Sequence, residues 1–387
     1  MSVPTKSCLL FSKLCRKTMK TSSERLNGLD HLRALAIVLV LMYHYRAFSH
    51  PDWIDTIGRF GWIGVDLFFV LSGFLISGQL FNNIKVFHNI HLKSFYIKRF
   101  FRIIPPYAFT LLLYFCIPVF REREALSPLW KFITFTQNYG LDVINKGTFS
   151  HAWSLCIEEQ FYLVLPFSLL LLIKTKTLSW IKWLAPFLII ISIFFRFTAW
   201  NEYIIPNINS DRFWLEWYMK IYYPTYTRLD SLAIGVLIGY FFQNSSIFRN
   251  FIHLNGNRLF FGGVILLCLS LWLCNDQTSV QASIFGFTAV AISFGIVVLS
   301  AVSESSFLSR SYSWITYQLA SLSYAIYLSH KGVIHIIQLF LKDMQISASG
   351  MLMLLICLAA SILTGLFYRY AIEKPASRIK NKILNKS

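Results

Sequence analysis

The chain has 387 residues, 56% of them hydrophobic and only 14% charged, with a formal net charge of +18 and a mean hydropathy of +0.54. Soluble domains carry about 25% charged residues, so long apolar runs at this charge density exclude an ordinary water-soluble globule and require a bilayer. The excess of Lys and Arg gathers in short connections and at both ends, without a basic domain or a nucleic-acid motif, so membrane topology explains it and a nucleic-acid partner does not.

In chain order, residues 1–25 are a basic stretch whose only apolar patch is LLF, read as a cytoplasmic tail. Apolar windows follow near 31–49, 61–81, 100–118, 154–174, 182–200, 229–243, 259–274, 282–301, 321–341 and 351–371, within a membrane domain at 26–376. The sixth is short and holds Gly235 and Gly239. Residues 377–387 form a second basic tail. The fold expected is all-α: a polytopic integral membrane protein with about ten transmembrane helices. Lys85, Lys93, Lys98, Arg99 and Arg102 join the two basic ends on one face, which the positive-inside rule makes cytoplasmic for both termini. Asp52, Glu122, Asp142 and Glu202 fall on the other face, so the longer connections near 119–153 and 201–228 are expected outside the cytoplasm. The seven cysteines show neither paired nor metal-ligand spacing and read as packing residues.

The first window, HLRALAIVLVLMYH, carries Arg33 and His44 eleven positions apart, or three helical turns. Both fall on nearly one face, about 16 Å apart along the axis. Counting rise alone, Asp66 in the second window and Glu158 and Glu159 in the fourth reach the depth of His44 and form an outer layer with it. Arg99 and Arg102, opening the third window, join Arg33 in an inner layer. Ionisable groups at such depth face a protein interior or a watery path. A His beside a carboxylate suits a general base, with Asp66 or Glu158 orienting His44. Guanidinium groups suit phosphates, and 16 Å resembles the reach of an extended pantetheine arm. The arginines and the imidazole are therefore expected to line one passage.

Each residue also has a plainer reading. The arginines snorkel to lipid headgroups, His44 is a packing residue, and Asp66 is a structural partner for an arginine. Glu158 and Glu159, 100° apart, are not expected to share a cavity. The Trp and Tyr residues read mainly as an interfacial belt. Arg228, Asp230, Ser323, Tyr324 and His330 stand out without a defined role.

Taken as an ordered set, the chain resembles the acyltransferase-3 family of integral-membrane O-acyltransferases. The carriers are R-x10-H at Arg33 and His44, WIGVDLFFVLSGFLI at 62–76, FYIKRFFRIIPPY at 95–107, HAWSLCIEEQFYLVLP at 151–166, RLDSLAIG at 228–235 and SYAIYLSH at 323–330. The resemblance implies transfer of an acyl group, commonly acetyl, from cytoplasmic acyl-CoA to a hydroxyl of an extracytoplasmic carbohydrate or glycolipid such as lipopolysaccharide O-antigen or exopolysaccharide. It makes His44 the essential histidine, which activates the acceptor hydroxyl or takes the acyl group transiently. Arg33 is its motif partner, and Arg99 and Arg102 handle the donor. Acetyl-CoA is then a substrate, with no permanently bound cofactor, and the site is the bacterial cytoplasmic membrane. No esterase-like domain follows Pro375, so the stand-alone members are the expected likeness. A flippase of lipid-linked sugars and a non-catalytic scaffold for envelope assembly are the rival readings; oligomeric state is not legible.

Overall fold

The computed structural model describes residues 26–344 and 346–385; the basic tail expected at 1–25 lies outside them. Among the described residues there is no strand, only an isolated bridge between Leu126 and Thr148. The apolar windows are helices because in lipid each backbone N–H and C=O must be satisfied within its own segment. The long ones are α1 (Asn27–Tyr45), α2 (Ile63–Phe87), α3 (Leu92–Cys116), α4 (Trp153–Lys174), α5 (Ile181–Ala199), α6 (Leu229–Asn244), α7 (Gly256–Leu273), α8 (Phe287–Ala301), α9 (Trp314–Leu341) and α10 (Met351–Phe367). A π-helical stretch at Tyr368–Glu373 carries α10 into α11 (Lys374–Leu384), so most of the basic C-terminal segment is helix rather than loose tail.

Among the described residues six helical segments can cross a membrane by length and composition, and a seventh can if α6 is joined to Ser246–Leu254, bent from it by 103°. Outside that set stand α1, α3 and α9. They are as long, but they carry Arg33 and His44, Arg99 and Arg102, and His330 and Lys331. Each of the three thus brings cations or imidazoles into the bundle, while the anions Asp66, Glu158 and Glu159 sit on helices of the set.

α2 and α8 are central, with 78% of their most apolar stretch buried in protein, against 17% for α5 and α7, which turn outward. α1 packs on both α2 and α9, and α2 runs closely along α6. That last crossing is set by Gly73 and Gly235, where backbone meets backbone. A Cβ on Gly235 would fall on Val70 O and lie 2.7 Å from Phe74 N. Gly235→Val is therefore expected to force the helices apart and cost about 1–3 kcal/mol. A lower melting temperature in detergent would register this; an unchanged one would contradict the close crossing.

The 119–153 connection is not a loop laid over the surface. Phe132, Thr148 and Phe149 are fully buried, and Phe149 stacks on Tyr114 with ring centroids 4.5 Å apart. This plug occupies the end of the bundle, so α4 begins beneath it.

Candidate active site

Two cavities lie along α1. The inner one, of about 370 Å³, is walled by Arg33 from α1, Ser72 from α2, Arg99 and Arg102 from α3, and Glu158 and Glu159 from α4. The three arginines expected as one layer do share one space. Arg99 lies between the rings of Phe95 and Tyr162, at 5.8 and 5.3 Å. Pro105 and Pro106, inside α3, supply no N–H to the carbonyls of Phe101 and Arg102, which loosens the helix at the arginines. A vestibule of about 380 Å³ shares Gln79, Arg99, Arg102, Ser323 and Tyr324 with this cavity and adds Lys98, Glu373 and, from α11, Lys380.

The outer cavity, of about 280 Å³, receives His44 from α1, His151 from the turn before α4, and Lys331 from α9. Its wall is aromatic, with Trp62, Trp153, Tyr218, Tyr222 and Tyr223. Part of the expected interfacial belt is thus a pocket lining. Lys331 Nζ sits 3.0 Å from Glu122 Oε1, a buried pair. His151 Nε2 donates to Leu328 O at 3.4 Å, and its Nδ1 has no partner among the described residues.

The carboxylates expected beside His44 are elsewhere. Its Nδ1 is 2.8 Å from His330 Nε2. Asp66 Oδ1 instead accepts from Arg228 Nη2 and Ser231 Oγ, both at 2.8 Å, which is the structural pairing with an arginine that the sequence also allowed. Glu158 is held by Ser72 Oγ and the Tyr162 hydroxyl, each at 3.1 Å, in the arginine cavity. Asp66 keeps the depth of His44, since Trp62 and Val65 beside it line the outer cavity, but it faces another side of α2. Glu158 is displaced by the buried plug. With α4 starting beneath it, the residue at the depth of His44 is His151, and Glu158 lies more than a turn further in. Glu159 lines the same cavity as Glu158, against expectation. The space is wide enough to take a 100° arc of the helix.

The single passage expected is divided. Among the described residues none lines both cavities. Between them the Tyr327 hydroxyl donates to His151 O and accepts from Ser154 Oγ at 2.7 Å, forming a hydrogen-bonded neck. His151 and Lys331 are not among the residues the sequence singles out, although each stands against a motif: His151 opens HAWSLCIEEQ, and Lys331 follows SYAIYLSH directly.

The arrangement puts a cationic cavity, a neck and an imidazole pocket in series. The acyltransferase-3 family model, described as an acyltransferase domain, matches residues 26–369. The peptidoglycan O-acetyltransferase OatA of Listeria monocytogenes is 29% identical over 339 residues, covering 82% of this chain and 51% of its own length. The O-acetyltransferase OatA of Staphylococcus aureus is 25% identical over 372 residues, covering 92% and 57%. The chain thus spans little more than half of either relative. No solved structure matches. From the arginines of the inner cavity to the imidazole of the outer one, the matched region contains the whole site, and the chain belongs to the acyltransferase-3 family.

Proposed function

We propose that the chain is a membrane O-acyltransferase, moving an acyl group from acyl-CoA at the arginine cavity to a carbohydrate hydroxyl held beside His44. By the relatives' names the group is acetyl. The observation that carries this reading is the arrangement along α1: Arg33 opens into a cavity with two further arginines, and His44, about 16 Å along the same helix, opens into a second cavity that has no carboxylate among the described residues of its wall.

Arg33, Arg99 and Arg102 pair with the CoA phosphates, and Lys98 and Lys380 add positive charge at the vestibule. The pantetheine arm passes the Ser154–Tyr327 contact, which parts to admit it. His44 takes the proton of the acceptor hydroxyl as its oxygen attacks the thioester carbonyl. The C–S bond then breaks, and the thiolate leaves as the CoA thiol with the proton returned from the imidazolium. The Lys331 ammonium faces the oxyanion formed on the way. His151 Nδ1 and the aromatic wall offer a hydrogen-bond acceptor and flat apolar faces to a sugar.

The acceptor in this reading is an envelope glycan: lipopolysaccharide O-antigen, exopolysaccharide or, following the name of the Listeria relative, peptidoglycan. The membrane is the bacterial cytoplasmic one, crossed about ten times, with both termini in the cytoplasm.

Vesicles bearing the protein and given radiolabelled acetyl-CoA are expected to move label into glycan. A flippase or a scaffold leaves it in the donor. In the same assay Arg102→Ala is expected to raise the donor KM about 10- to 100-fold, since hydrogen bonds to charged groups contribute about 1.5–3 kcal/mol, with the acceptor KM unmoved. An unaltered donor KM takes Arg102 out of donor binding.

A further inference from the structure

We infer that His330 decides which nitrogen of His44 is the base, and so serves as a positioning residue in acyl transfer; this rests on the reading of His44 given above. The reasoning follows the protons. His330 Nδ1 lies 3.0 Å from Ile326 O and 2.8 Å from Tyr327 O, carbonyls of its own helix one turn back. A carbonyl oxygen only accepts, so Nδ1 carries the hydrogen. Among the described residues no carboxylate is paired with either His330 or His44, and an unpaired charge at a fully buried ring is costly. His330 is therefore neutral, and its Nε2 is a bare lone pair.

That lone pair faces His44 Nδ1 at 2.8 Å, with the two rings inclined by 26° and their centroids 4.9 Å apart. One hydrogen must lie between these nitrogens, and His44 is the ring that has it to give. His44 is thus held as the Nδ1–H tautomer. Its Nε2, with no protein partner among the described residues, is left as the acceptor in the outer cavity. When Nε2 takes the hydroxyl proton, the Nδ1–H becomes a charged donor and its bond to His330 strengthens. His330 itself gains and loses nothing. His151 packs against the pair, its ring centroid 4.9 Å from that of His330 and 5.6 Å from that of His44, which limits rotation of both.

Two conservative variants separate this role from a structural one. Gln at 330 puts an amide oxygen where Nε2 was and can still accept from His44. Asn puts an amide N–H where Nδ1 was, so it keeps the anchor to the helix carbonyls but leaves His44 Nδ1 without an acceptor. In full-length protein in vesicles with radiolabelled acetyl-CoA, normalised to monodisperse protein, His330→Gln is expected to keep kcat within about 10-fold. His330→Asn is expected to lose about 100-fold or more at unchanged donor KM, the signature of a wrong tautomer. Should Asn not fold, His330→Ala with added imidazole replaces it, and rescue by imidazole is the expected result.

Asn equal to or better than Gln, or Ala without rescue, overturns the proposal, because a helix-anchoring role gives that order. His44→Ala is measured alongside. If it stays active, the base assignment itself falls. If it is inactive while Asn outperforms Gln, only the role of His330 falls.

Discussion

Replacing His44 with Ala is expected to lower turnover by about 100- to 10,000-fold, the range that a positioned general base contributes. His44→Gln should fall equally far, since an amide fills the space without accepting a proton. Neither change should weaken donor binding. None of the inner-cavity walls belongs to the outer cavity, and Arg33 is three turns away on the same helix. Equilibrium binding of labelled acetyl-CoA to the purified variants, beside their transfer rates, checks both halves. Retained turnover removes His44 from the chemistry. Lost donor binding would mean that the two cavities are one site and that the neck is not a boundary.

Much of this site is legible in the sequence, and what is not depends on how helices face and align with one another. Arg33 and His44 needed only helical periodicity, which holds regardless of what surrounds the helix. Arg99 and Arg102 needed only to lie toward the inner end of the third helix; α3 starts earlier than its apolar window, at Leu92, and still brings both to the inner cavity. Asp66 required knowing which side of α2 faces α1, since Trp62 and Val65 beside it do reach the cavity of His44. Glu158 required comparing depths between helices, which treats helix ends as level. The ends are not level here, because the segment carrying Phe132 and Phe149 folds into the bundle. No pattern in that segment announces it, since an aromatic-rich connection looks the same as a surface belt. The groups beside the base are imidazoles, not carboxylates: His151 opens HAWSLCIEEQFYLVLP and His330 closes SYAIYLSH. The partner of His44 is a third-turn neighbour of nothing in sequence; it comes from α9, 286 residues away, and only packing could supply it.

Asp66 shows what such a carboxylate does when it is not catalytic. It is fully buried and paired with Arg228, itself fully buried, at 2.8 Å. Asp230 pairs with Arg196 beside them, also at 2.8 Å and also fully buried, so two anions and two cations balance inside the bundle. Arg228 Nε and Nη1 have no hydrogen-bond partner among the described residues, but the guanidinium lies 3.9 Å from the centroid of the Phe287 ring, which stabilises it through the π face. Removing one member leaves a net charge where water cannot reach. Arg228→Met is therefore expected to cost about 3–5 kcal/mol, whereas an apolar replacement of the whole pair is often neutral or better. Adding Asp66→Leu to Arg228→Met should then recover most of the loss in melting temperature and in monodisperse yield. The recovered double variant should also transfer acyl groups at a rate near wild type, because neither residue lines the pocket of His44. A double variant as unstable as the single would show that the pair contributes more than neutrality. A stable but inactive one would return Asp66 to the catalytic centre.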